Sequence, residues 1–182
     1  VPMAAAIKIS EVTTSGGSSG ATSPRPSYIP TSEDDFLEIS NSSSSAFNLG
    51  GYKLETRGSF SNQARTYTFP GTVVVPALGV VVIHLGPGTD DVANRYFHAG
   101  GTNNSYFAGE GAGFILSAPN GTVLDAVALN GYSFASGVTA ADWSVPPAIG
   151  STAGTAGASL HGADADNGTH WLMARSGRLP TL

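Results

Sequence analysis

Ile7-Lys8-Ile9-Ser10-Glu11-Val12 sets apolar residues against polar ones with a period near two, and the same rhythm returns along much of the chain. It reappears in Tyr52-Lys53-Leu54-Glu55-Thr56 and in Arg65-Thr66-Tyr67-Thr68-Phe69, and Asp35-Phe36-Leu37-Glu38-Ile39 also has strand character. Side chains alternate across a strand and recur every 3.6 residues on a helix, so this rhythm commits the chain to pleated sheets with one buried face. Val80-Val81-Val82-Ile83 is apolar throughout and reads as a central strand covered on both faces. Phe114-Ile115-Leu116-Ser117 and Val123-Leu124-Asp125-Ala126-Val127 flank Ala118-Pro119-Asn120-Gly121, and an Asn-Gly pair between apolar runs is a strong hairpin signal.

The breakers between these runs are long. Thr13 to Asp34 carries Pro24, Pro26 and Pro30 among Ser and Gly, and reads as a surface excursion. Gly86 to Gly111 is a second excursion, in which Asp90 to Phe97 has room for one or two helical turns. Ser136 to Gly157 reads as a surface loop, and His170 to Ala174 as one last apolar stretch. Six to nine short strands with frequent turns, no internal repeat and no second core predict an all-β sandwich or small barrel. Phe36, Leu54, Val81 and Val127 are expected to meet in its interior.

At 182 residues the chain suits one domain, here residues 7–182, with Val1–Ala6 read as a leader remnant. Eight Lys and Arg against thirteen Asp and Glu give a net charge of −5, the wrong sign for a sequence-independent nucleic-acid surface. Cysteine is absent, which excludes a disulfide framework and a thiolate zinc site. The apolar run Val80–Ile83 falls far short of the roughly 20 residues a membrane-spanning helix needs.

The order of these motifs resembles the lamin tail domain family, an immunoglobulin-like β-sandwich found at the tail of nuclear lamins and in exported bacterial proteins. The family's I-x-I-N-E-V is matched by Ile7 to Val12, and its E-[FW]-[IV]-E-L-x-N by Asp35 to Asn41. Its D-L-S-G-W-x-L is similar to Asn48-Leu49-Gly50-Gly51-Tyr52-Lys53-Leu54, with Tyr52 where Trp is usual. Phe69-Pro70-Gly71-Thr72-Val73 through Val81 and the closing run Asn120 to Val127 follow in the family's order. Ala158-Ser159-Leu160 with Asp164 to Trp171 resembles the closure of bacterial members. The resemblance implies a non-catalytic immunoglobulin-like module of about seven to nine strands, secreted or at the cell surface, contacting a protein or a glycan, and part of a larger protein.

Several constellations invite chemistry. Glu11 and Glu38, on two neighbouring strands, offer oxygen ligands for Ca²⁺, or else face solvent. Asp164-Ala165-Asp166-Asn167-Gly168 has the look of a calcium loop, but Arg175 stands where an EF-hand needs its bidentate acid, and Asx-turns account for the same residues. Tyr28, Tyr96, Phe97, Tyr106 and Phe107 fall in the two excursions, as a platform for sugar rings or a partner protein, or as anchors for the loops. Together these residues make a calcium-assisted carbohydrate-binding module the first alternative function.

Gly109-Glu110-Gly111-Ala112-Gly113 hints at a phosphate loop, but strand-like Phe114-Ile115-Leu116 follows where a helix is needed, and no Lys follows. His84, His98, His161 and His170 match no zinc-protease spacing, and no Ser sits in a nucleophile elbow. His84 reads as a residue at the rim of its strand. A small hydrolase with its site near His84 or His98 is the second alternative. No cofactor is expected. Glycosylation sequons begin at Asn41, Asn103, Asn120 and Asn167.

Overall fold

The computed structural model describes residues 6–13, 36–58, 65–86, 88–100, 112–129, 132, 134, 155–160 and 171–175. Twelve strands are found among them, with no helix. They are β1 (Ile7–Thr13), β2 (Phe36–Asn41), β3 (Phe47–Asn48), β4 (Lys53–Gly58), β5 (Arg65–Thr68) and β6 (Val74–Val75), then β7 (Val80–His84), β8 (Tyr96–His98), β9 (Ala112–Ser117), β10 (Val123–Leu129), β11 (Thr155–Leu160) and β12 (Trp171–Arg175). A six-stranded sheet runs β12-β11-β1-β2-β7-β8, a four-stranded sheet runs β10-β9-β4-β5, and β3 pairs with β6 in a short ribbon. Every pairing is antiparallel except β7 with β8.

The alternating halves of the strands build one interior. Ile9, Ile39, Val81 and Ile83 of the larger sheet join Leu54, Phe114 and Val127 of the smaller one in a single buried cluster. Phe36 is not part of that cluster, contrary to the sequence expectation. Period two explains this, since Leu37 and Ile39 point into the sandwich and Phe36 therefore points to the opposite face of β2. Phe36 is buried there, tilted against His84 at a ring-centroid distance of 6.0 Å.

The segment Ile7 to Val12 cannot bury Ile7, Ile9 and Val12 on one face with perfect alternation, because Val12 falls out of phase. A β-bulge resolves the conflict. The β1–β2 register shifts between Ile9 and Glu11, leaving Ser10 as the extra residue, and all three apolar side chains become buried. A second shift between Val123 and Asp125 turns Asp125 towards the interior, where its carboxylate is buried.

The expected hairpin joins β9 to β10. Gly121 N–H donates to Ala118 O at 2.9 Å and Ala118 N–H to Thr122 O at 2.8 Å, so Pro119, Asn120 and Gly121 form the loop. Gly121 sits at φ 87°, a conformation that glycine reaches without steric cost. At the other end, Asn41 Nδ2 donates to the carbonyls of Ser45 (2.8 Å) and Pro76 (3.0 Å), binding two turns together. Tyr52, in the position where the family favours Trp, packs edge-on against Phe47 at 5.4 Å.

Within the expected excursion 86–111, the described residues 88–100 form no helical insert. Asp91 and Tyr96 exchange backbone hydrogen bonds, Asp91 Oδ1 and Oδ2 accept from Asn94, and Arg95 adopts φ 62°. Asp and Asn side chains that bond their own backbone favour turns over helix, and here the tight turn releases the chain into β8, parallel to β7. Likewise β11 begins at Thr155, inside the segment 136–157 expected to be loop.

Candidate functional site

The register of four strands lays chemistry-bearing residues in rows. Glu11, Glu38, Val82 and Tyr96 are successive partners across β1, β2, β7 and β8, and Thr13, Phe36, His84 and His98 form the adjacent row. Leu37, Val81, Ile83 and Phe97 point into the core, so Phe36, Glu38, Val82, His84, Tyr96 and His98 lie on the other face of the sheet. His84 is wholly buried (0% exposed) and is not a rim residue.

The His84 and His98 rings stack with centroids 5.2 Å apart and planes 28° apart, and the Tyr96 ring also stacks with His84, at 6.4 Å. Asp90 holds this end of the sheet in place. Its Oδ1 accepts the His98 backbone N–H at 2.8 Å and stands 3.9 Å from His98 Nδ1. Its Oδ2 accepts the Tyr67 hydroxyl at 2.5 Å, and Tyr67 belongs to β5 of the opposite sheet. Burial first, and then the Asp90 carboxylate, push the Tyr67 phenol far above its ordinary value of 10, so it remains a proton donor. A Cβ on Gly88 would lie 2.1 Å from His98 Cδ2, so the backbone of residue 88 is pressed against the imidazole. With one oxygen on the backbone of β8 and the other on the opposing sheet, Asp90 is placed as a tie between layers.

Glu38 sits mid-row. Ser10 Oγ, delivered by the bulge, donates to its Oε1 at 2.8 Å. Burial raises the Glu38 carboxyl above the usual range, and the Ser10 hydrogen bond partly opposes this. The expected neighbour Glu11 is its direct register partner, although the Glu11 side chain lies outside the described residues. Among the described residues no three His, Cys, Asp or Glu side chains gather as they would around a metal ion.

Of the other expected site residues, Asp164, Asp166, Tyr28, Tyr106 and Phe107 lie outside the described residues. Tyr96 is half-buried beside the histidine pair. Phe97 must be corrected: it is 0% exposed, packing edge-on against Phe69 at 5.6 Å, because adjacent residues of β8 face opposite ways. It is core and offers no ligand platform.

Asp90, Tyr67 and Asp125 were not singled out from sequence. Asp125 Oδ2 accepts the Ile9 backbone N–H at 2.7 Å and Oδ1 accepts that of Ala126 at 2.9 Å. A lone Asp inside an apolar run was the available signal, since a buried carboxylate requires partners.

Two packed sheets sharing one core, with carboxylates of one layer bonded to the other, define an immunoglobulin-like β-sandwich. The chain belongs to the lamin tail domain family, whose pattern it matches over residues 2–147, a span that takes in β1 to β10. No curated protein matches the chain.

Proposed function

We propose that this chain is a non-catalytic interaction module that works outside the cell or at its surface. The observation that carries the reading is the family match over residues 2–147, which brings an immunoglobulin-like domain of a kind used for contact. The use of the polar side chains supports it. Asp90 and Asp125 spend their oxygens on backbone N–H groups and a phenol of neighbouring strands, and a carboxylate so engaged is not poised as a general base. The low charged fraction of 12% and the Ser- and Thr-rich composition are consistent with contacts made through neutral polar groups.

Fractionation of producing cells tests the reading. The chain is expected in the envelope or the medium, and confinement to the cytoplasm would overturn it. A hydrolase panel tests the non-catalytic half: turnover that a folded His98→Ala variant loses would replace this reading with an enzymatic one.

One observation favours calcium-assisted glycan binding as a second reading, namely the placement of Glu11 directly opposite Glu38. Calorimetric titration with Ca²⁺, followed by a glycan array, checks it. Heat of binding lost in Glu38→Gln is the supporting result, and silence in both assays removes it.

A further inference from the structure

The four-stranded sheet carries its own chemistry on the face turned away from the core. Leu54 and Thr56 of β4 are buried inward opposite Leu116 and Phe114 of β9, so Glu55, Arg57, Gly113 and Ile115 belong to the outer face. Arg57 and Gly113 are direct register partners there, and Glu55 is paired with Ile115 on one side and Thr66 on the other.

Gly113 is buried beneath two rings. A Cβ on it would lie 2.5 Å from Tyr132 Cε1 and 2.6 Å from Phe134 Cε1, so any side chain at 113 would lift both rings off the sheet. The rings meet edge-on, with centroids 5.4 Å and planes 82° apart, and both are only half-buried. An aromatic wall thus rises over β9. Beside it the floor is polar and reached by water. Arg57 Nη2 donates to Glu55 Oε2 at 2.9 Å, with the two side chains 43% and 30% exposed, and Thr66 is exposed next to them.

We propose that this wall and floor form a calcium-independent site for a neutral glycan, with a pyranose ring laid against Tyr132 and Phe134 and its hydroxyls on the Glu55–Arg57 pair. The chemistry of the pair selects that occupant. A sugar presents C–H faces that pack on aromatic rings, and hydroxyls that both donate and accept. Neighbouring hydroxyls therefore span the pair, one donating to the Glu55 carboxylate while the next accepts from the Arg57 guanidinium. A proline-rich peptide also packs on rings, but its imide nitrogens carry no hydrogen to give Glu55. An anion finds Arg57 already compensated by Glu55. Lys53, the remaining charged residue of β4, lies four residues from Arg57, about 13 Å along the strand and beyond the screening length of roughly 8 Å. Arg65 is paired with inward-facing Thr56 and so has the opposite phase.

A glycan partner presupposes the contact-module reading, and calorimetry of the full chain tests it apart from location and turnover, which fractionation and the hydrolase panel decide. The probes are cellohexaose, xylohexaose, mannohexaose and chitohexaose, titrated with EDTA present so that no calcium at Glu38 contributes. At least one is expected to bind, with its affinity unchanged on adding salt. Arg57→Gln removes one member of an exposed pair that is worth little to stability. The variant should melt with the parent, yet bind more than about tenfold more weakly. Phe134→Leu keeps an apolar cover over Gly113 without the ring, and should weaken binding in the same direction. Silence of all these oligosaccharides would overturn the proposal. So would an affinity unchanged in both variants, heat given only by polygalacturonate and abolished by salt, or heat given only by a decaproline peptide.

Discussion

The carboxylate of Asp125 on β10 accepts the backbone N–H of Ile9 on β1 at 2.7 Å, inside the sandwich and between its two sheets. Both residues stand beside β-bulges, so two register shifts aim one side chain at one amide. Its other oxygen holds Ala126 N–H at 2.9 Å. The bond bridges the two layers.

Asp125→Asn should therefore cost about 2 kcal/mol, because an amide has one acceptor oxygen for two N–H groups and brings an NH₂ against a donor. Urea denaturation measures it. An unchanged midpoint would show that the bridge is not needed.

Glu38 gives a pH dependence whose sign follows from burial. Its folded value lies above the ordinary 4.5, so the folded state holds the proton more tightly than the unfolded chain. That stabilisation is complete below 4.5 and is lost as the pH rises through the folded value. Glu38→Gln keeps an acceptor for Ser10 and never ionises. Thermal melts should show the variant matching the parent at about pH 4 and exceeding it at neutral pH. A variant less stable at neutral pH would contradict the sign.

Tyr67→Phe removes the hydroxyl that joins β5 to Asp90. The expected loss is about 1–2 kcal/mol, for a hydrogen bond to a charged acceptor. In an ultraviolet titration of the parent, one tyrosine should resist ionisation until the fold opens. That class should vanish in the variant.

Phe97 and Tyr96 are adjacent and face opposite ways. Phe97→Ala empties a wholly buried site and should cost about 3–5 kcal/mol, whereas half-buried Tyr96→Ala should cost clearly less. Equal losses in denaturant titrations would contradict the facing of β8.

The strands were legible because their period is local. Tyr52 to Thr56 announces which residues turn inwards, Val80 to Ile83 announces a strand covered on both faces, and the Asn120-Gly121 hairpin needs only its own turn chemistry. The bulges were less visible. Ser10 and Leu124 break the period by one residue, and only a partner strand decides whether the break ends a strand or bends it. Phe36 was placed inside by its hydrophobicity, when its phase relative to Leu37 and Ile39 assigns it outside. Most long-range relations are hidden. Nothing near Asp90 announces Tyr67, and His84 read as a rim residue because the rings that stack on it come from β8, a strand masked by the polar turn before it. The pairing of Glu11 with Glu38 was partly legible, since both residues fall in strands that the motif order makes neighbours.

The sandwich is defined by which strands face which. A methyl nuclear Overhauser spectrum of the labelled chain reads that arrangement. Contacts should link Ile9, Ile39, Val81 and Ile83 of the six-stranded sheet with Leu54, Leu116 and Val127 of the four-stranded one. Methyl contacts confined within each sheet, with none between the two sets, would contradict the sandwich and everything built on it.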